Sequence, residues 1–184
     1  VSLVEQQQFI LYPRVDAVAS DIISGRLRSA GLEIINGERP IGIVRNRNTV
    51  KGVRLASRVI EADMVVMAAG TKPNVDFLRA SGIQCERGVI TDEYLSTSAP
   101  GAYAAGDVVE NRELVHGNRA VSALWSNAQE MGRIAGMNAA GGAIRYDGFL
   151  AVRNASDIHG LAVVSAGAVD EGQGGYEVFV RRKG

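Results

Sequence analysis

The sequence predicts an α/β fold built from incomplete layers. Three features carry that prediction. A strand, a helix, a β-rich pair and an apolar run follow one another in the first 70 residues, the alternation that builds α/β sheets. "ADMVVMAAG" (62–70) is apolar with no polar alternation, which suits a strand covered on both faces. From Tyr146 onward the pattern changes to short strands between Gly-rich turns, the mark of a different kind of domain.

"VSLVE" is a short apolar strand ending in Glu5. Val15, Val18, Ala19, Ile22, Leu27 and Ala30 then recur at helical spacing, and Gly31 stands where a helix C-terminus favours glycine. "IGIVRN" and "TVKGVRLAS" flank a polar turn and predict a hairpin. In "TKPNVDFLRASGI", Pro73 keeps the residue before it out of the helical region, and a short helix is expected from Asp76 to Ala80. A strand at Val89 and Ile90 precedes "SAPGAYAAGDVVE" (98–110). That stretch predicts a turn, a small-residue strand and an acid, Asp107, where the strand stops. Alanine and glycine in place of Val or Ile predict that something large lies against this backbone.

"HGNRAVSALWSNAQEMGRIAGMNAAGG" predicts a helix with Leu124, Ala128, Met131, Ala135 and Asn138 on one face. Ser122 is its expected cap, and Gly141 with Gly142 its end. "GLAVVSAGAV" and "YEVFVRR" predict strands of the following domain.

Composition narrows the function classes. Twenty basic residues balance twenty acidic ones, so no net field draws the chain to nucleic acid or an anionic membrane. No run is long enough to span a bilayer and no signal peptide is recognisable, so a cytoplasmic location is expected. A single cysteine, Cys85, excludes an internal disulfide and a cysteine cluster; the separated His116 and His159 argue against zinc. Cys85 reads as a small apolar filler and both histidines as polar loop residues. The chain opens directly on a strand without Met and closes directly after one, which predicts a piece of a longer protein.

The order strand, helix, hairpin, strand resembles the second half of a nucleotide-binding α/β unit. There an acid at the tip of the second strand accepts hydrogen bonds from the adenosine ribose, and Glu5 holds that place. A solvated strand end is the alternative for Glu5. The Gly-rich phosphate loop of such a unit would precede Val1, and GxGxxG occurs nowhere in the sequence.

"AAGTKPN", "TSAPGAYAAGDVVE" and "LWSNAQEMGRIAG", in this order, carry a more specific likeness. The chain resembles the FAD-dependent pyridine nucleotide–disulfide oxidoreductases, within the group of NADH oxidases, coenzyme A–disulfide reductases and nitrite reductase flavin subunits. The resemblance implies partial Rossmann-like NAD(P)- and FAD-binding layers followed by the start of an α+β interface domain. Residues 1–70 would be the second half of the NAD-binding domain. Residues 71–145 would be the C-terminal part of the FAD-binding domain, and 146–184 the start of the interface (dimerisation) domain.

By the same resemblance the cofactors are FAD and NAD. Gly106 and Asp107 form the motif whose acid binds a ribityl hydroxyl of FAD. The helix near Ser122 would aim its N-terminus at the flavin, with Leu124 and Trp125 lining the isoalloxazine. Gly70 would end the NAD-domain strand beside the nicotinamide. Taken singly, Asp107 could be a cap or turn acid, Trp125 a core aromatic and Gly70 a turn glycine. The glutamines after Glu5, with no arginine before Arg14, favour NAD over its 2′-phosphorylated form. Cys85 lies outside the half of the family that carries a redox cysteine.

The expected acceptor is a small molecule or a redox protein, the expected assembly a homo-oligomer, and no catalytic residue or metal ligand is assigned. The competing reading is a truncated interaction module that keeps the fold without cofactors. A dehydrogenase using NAD alone is disfavoured, because it has no ribityl group for the Gly-Asp motif to hold.

Overall fold

A computed structural model describes residues 1–150, 152–169 and 181. They form two compact units: Val1–Ala68 with the described residues from Val152 onward, and Ala69–Ala151.

In the first unit, β1 (Ser2–Glu5) runs parallel to β2 (Glu33–Asn36), with Glu5 opposite Asn36 at the end of the pair. Helix α1 (Ala17–Ser29) connects them. The Asp16 carboxylate accepts the Ala19 N–H at 2.7 Å and caps its start. Gly31, at a φ of +88° that favours glycine, turns the chain away at its end.

The buried stripe of α1 differs from the expected one. Ser20, Ile23, Ser24 and Leu27 face inward, while Val18 and Ile22 are 61% and 58% exposed. Two serines occupy core-facing positions, so the apolar spacing alone misplaced the face. Ile10, Val15, Ile23 and Leu27 share their core with Val163. Val163 belongs to β10 (Leu161–Ala166), which pairs antiparallel with β9 (Arg153–Ile158). The expected strand in "GLAVVSAGAV" is therefore present as β10, whereas "YEVFVRR" lies outside the described residues, apart from Arg181.

The predicted hairpin forms as β3 (Gly42–Asn46) and β4 (Thr49–Arg54), and β5 (Val59–Glu61) adds a third antiparallel strand. Gly52 is required where β4 meets β5, because an added Cβ would overlap the Ile60 carbonyl. The run 62–70 is not a strand. Met64, Val66 and Met67 are 79%, 81% and 77% exposed. A strand covered on both faces needs neighbours that take its backbone groups, and no described strand pairs with this segment.

In the second unit, the expected short helix is a single 3-10 turn, Asp76–Leu78. Strand β7 (Val109–Arg112) lies between β6 (Val89–Ile90), which is parallel to it, and β8 (Arg119–Val121), which is antiparallel. Helix α2 (Trp125–Ala139) covers this sheet region through Met131, Ile134 and Ala135, packed with Leu95, Val109 and Phe149. Met131, Ala135 and Asn138 face inward as expected. Asn138 ties three segments together: its amide donates to the carbonyls of Tyr94 and Ile144 at 2.8 Å each, and its oxygen accepts the Ile144 N–H at 2.7 Å. Tyr146 and Phe149 are buried in this same core.

Candidate functional site

The turn expected at the start of 98–110 forms, but the small-residue strand expected after it does not: the chain instead folds back on the segment before it. Ser96 and Tyr103 form an isolated antiparallel bridge, Thr97 donates to the Ala102 carbonyl at 2.9 Å, and Ala104 to that of Leu95 at 3.1 Å. Pro100 and Gly101, the latter at φ +77°, make the reversal. The small side chains answer partly to the protein itself: Ala104 and Ala105, with Tyr103 beside them, are half-buried against the α2–β7 core.

Asp107 consequently lies in a turn just before β7, not at the end of a strand. The Val109 N–H closes that turn on the Gly106 carbonyl at 2.9 Å. Gly106 is buried with φ +83°, a conformation that strains any residue with a Cβ, and an added Cβ would stand 3.5 Å from that of Ala128 in α2. Glycine therefore seats the turn on the helix and leaves Asp107 outward. The Asp107 side chain is exposed and makes no hydrogen bond or ion pair among the described residues. It lines a cleft of about 270 Å³ together with residues 71–74, Val108 and Val121.

Behind the turn, the sequence reading missed a buried acid. Glu110, 4% exposed, accepts the N–H groups of Arg87 and Gly88 at 2.9 and 3.0 Å. An added Cβ on Gly88 would stand 2.6 Å from the Val108 carbonyl. Glu110 and Gly88 thus hold the 86–88 loop tightly against the backbone that follows Asp107. The available signal was an acid inside the β-rich run "VVE".

Helix α2 starts later than expected. Its N-cap is Leu124, without a side-chain cap bond, and its first residue is Trp125. Ser122 is not the cap: it sits too far upstream of the first turn, and its hydroxyl accepts the Asn127 amide at 2.6 Å in a buried pair. The first-turn N–H groups are left without a capping side chain. Leu124 is half-buried there, and Trp125 is 80% exposed.

In the first unit, the Glu5 carboxylate is half-buried and accepts the Gln7 N–H at 2.8 Å through one oxygen. Gly70 belongs to the second unit; it is exposed at φ +89° with open space around the missing Cβ. Cys85 is half-buried and bridges to Val89. His116 lies with Nδ1 2.9 Å from the buried carboxylate of Glu113, which also accepts the N–H groups of Val115 and His116. His159 occupies the turn between β9 and β10, where its carbonyl accepts the Arg26 guanidinium at 2.7 Å. Among the described residues no group of His, Cys, Asp and Glu is arranged to hold a metal.

Comparison with known proteins gives this turn its context. The family described as "Pyridine nucleotide-disulphide oxidoreductase" matches residues 1–132. The chain belongs to that family. This pyridine nucleotide-disulphide oxidoreductase chain is 32% identical, over 98% of its length, to the NADH-dependent phenylglyoxylate dehydrogenase subunit epsilon of Aromatoleum evansii, and covers 43% of it. It is 34% identical, over 82% of its length, to a CoA-dependent NAD(P)H sulfur oxidoreductase of Pyrococcus furiosus, and covers 34% of that protein.

A solved structure of an FAD-dependent pyridine nucleotide-disulphide oxidoreductase from Desulfovibrio vulgaris matches 84% of the chain with a TM-score of 0.78 and 28% identity. The chain covers 39% of that structure, so it spans less than half of each of these relatives. The fold is α/β with partial Rossmann-like layers, and the cofactors of the family are FAD and NAD(P).

Proposed function

We propose that this chain is part of a flavin-dependent oxidoreductase that takes hydride from NADH and delivers electrons through FAD to an acceptor. One observation carries the reading: Asp107, held outward by Gly106 at the rim of a cleft, is a carboxylate without a partner among the described residues. The set around it fits a flavin nucleotide. A carboxylate accepts polyol hydroxyls, and the loop from Thr71 to Asn74 adds a hydroxyl, an ammonium and an amide.

Bound FAD supplies the redox chemistry, and the chain supplies position and electrostatics. Asp107 accepts a charge-assisted hydrogen bond from a ribityl hydroxyl. The uncapped start of α2 offers N–H groups and partial positive charge to an electron-rich ring, with Leu124 and the exposed Trp125 as its apolar wall. Glu5 spends one oxygen on Gln7 and keeps the other for a ribose hydroxyl, and Gly70 gives close approach to the nicotinamide.

Residues 1–70, 71–145 and 146–184 are, in this reading, pieces of the NAD-binding, FAD-binding and interface domains of a cytoplasmic protein. Among the described residues no helix is long and apolar enough to cross a membrane. The acceptor is a small molecule or a redox protein; the A. evansii relative, named as a subunit, supports the latter. The exposed run from Met64 to Met67 supports self-association. In this reading the 184 residues carry out the reaction only as part of the whole protein.

The test is anaerobic addition of NADH to the intact holoprotein, which should bleach the visible flavin band. A protein that stays colourless in excess FAD contradicts the reading and supports a cofactor-free interaction module.

A further inference from the structure

We propose that Lys72 is a specificity-determining cation of the Asp107 cleft, recognising the phosphate attached to the ribityl chain. The inference rests on the flavin reading of that cleft and adds to it a second charge with its own ligand group.

Lys72 and Asp107 line the same cleft, yet they form no ion pair with each other. Neither has another hydrogen-bond or ion-pair partner among the described residues. The nearby Asp76 does not occupy Lys72: the Arg79 guanidinium bonds its carboxylate at 2.7 and 3.0 Å. The hydrogen bond and then the charge of Arg79 are the main causes that lower the Asp76 pKa, with Lys72 the weakest contributor. Opposite charges that share a cleft without neutralising each other are both available to a ligand. The carboxylate serves hydroxyls and the ammonium serves an anion. A ribityl 5′-phosphate carries both groups on one chain, whereas riboflavin carries only the hydroxyls. Thr71 and Asn74 add neutral polar contacts beside them.

The experiment titrates this 184-residue chain with riboflavin and with flavin mononucleotide, following quenching of flavin fluorescence. One charge-assisted contact predicts roughly tenfold tighter binding of the phosphorylated flavin. Lys72→Met should abolish that ratio and leave riboflavin binding unchanged, and Lys72→Arg should restore it. Inorganic phosphate, at matched ionic strength, should compete with the mononucleotide and not with riboflavin. If Lys72→Met leaves the ratio intact while Asp107→Ala weakens both flavins, the flavin site stands and the role of Lys72 is overturned. Equal displacement of both flavins by phosphate overturns it as well. If neither flavin quenches, or Asp107→Ala changes neither titration, the flavin reading fails and Lys72 falls with it.

Discussion

The carboxamide of Asn127 donates to the hydroxyl of Ser122 at 2.6 Å, and both residues are buried. The bond fastens the exit of β8 to the first turn of α2, and it removes Ser122 from the capping role that its position suggested. It also fixes where Leu124 and Trp125 emerge beside the uncapped helix start.

Ser122→Ala should therefore strand a buried amide, at a cost of about 1–3 kcal/mol in urea unfolding. A cap would act alone, whereas a bonded pair is coupled. In a double-mutant cycle with Asn127→Ala, the two losses should be clearly less than additive. Strict additivity would show that the pair does not hold the turn.

Tyr146 makes stability depend on alkaline pH. Burial first, and then the charge of Glu130, push its hydroxyl up to about 12 from an ordinary 10.0. The folded protein holds this proton longer than the unfolded chain does. The stabilisation is thus complete below about pH 10 and is lost as pH rises through about 12. A rise of that size corresponds to on the order of 3 kcal/mol. Urea midpoints should fall more steeply across this window in the native chain than in Tyr146→Phe. Parallel slopes would refute the assignment.

The sequence made some of this legible and hid the rest for physical reasons. The hairpin β3–β4 and the cap at Gly31 rest on local chemistry, and both formed where the pattern put them. The buried face of α1 was hidden because Ser20 and Ser24 carry no apolar signal. The run at 62–70 has the composition of a covered strand, but a strand exists only with neighbours to bond, and none pairs with it here. At the site, Gly106 and Asp107 stood out by motif. Glu110, Lys72 and the Ser122–Asn127 pair did not, since their roles depend on contacts with segments distant in sequence or on a shared cleft. Asp107 itself was misplaced at a strand end, because the small residues before it make only an isolated bridge, Ser96 to Tyr103, and no strand.

The proposed role of Glu5 carries a prediction for cofactor preference. Its carboxylate stands at the end of β1, with no arginine before Arg14 to receive a 2′-phosphate. With the proposed activity, the intact protein should show the higher kcat/KM with NADH, and Glu5→Ala should narrow the difference by relieving repulsion of the phosphate. Steady-state kinetics with both nucleotides decide it; equal or better use of NADPH by the native enzyme would remove Glu5 from the site.

Asp107 is the proposed anchor of the flavin. Asp107→Ala removes one charge-assisted hydrogen bond, a class worth about 1.5–3 kcal/mol. That amounts to roughly a tenfold to hundredfold loss of affinity. An exposed side chain with no partner among the described residues should contribute little to folding. The deciding measurement is flavin absorbance per protein in the intact protein after dialysis, set beside the urea midpoint of the apoprotein. Depleted flavin with an unchanged midpoint is the predicted result. Full flavin occupancy with a clearly lowered midpoint would make Asp107 a structural turn residue and contradict the proposed function at its centre.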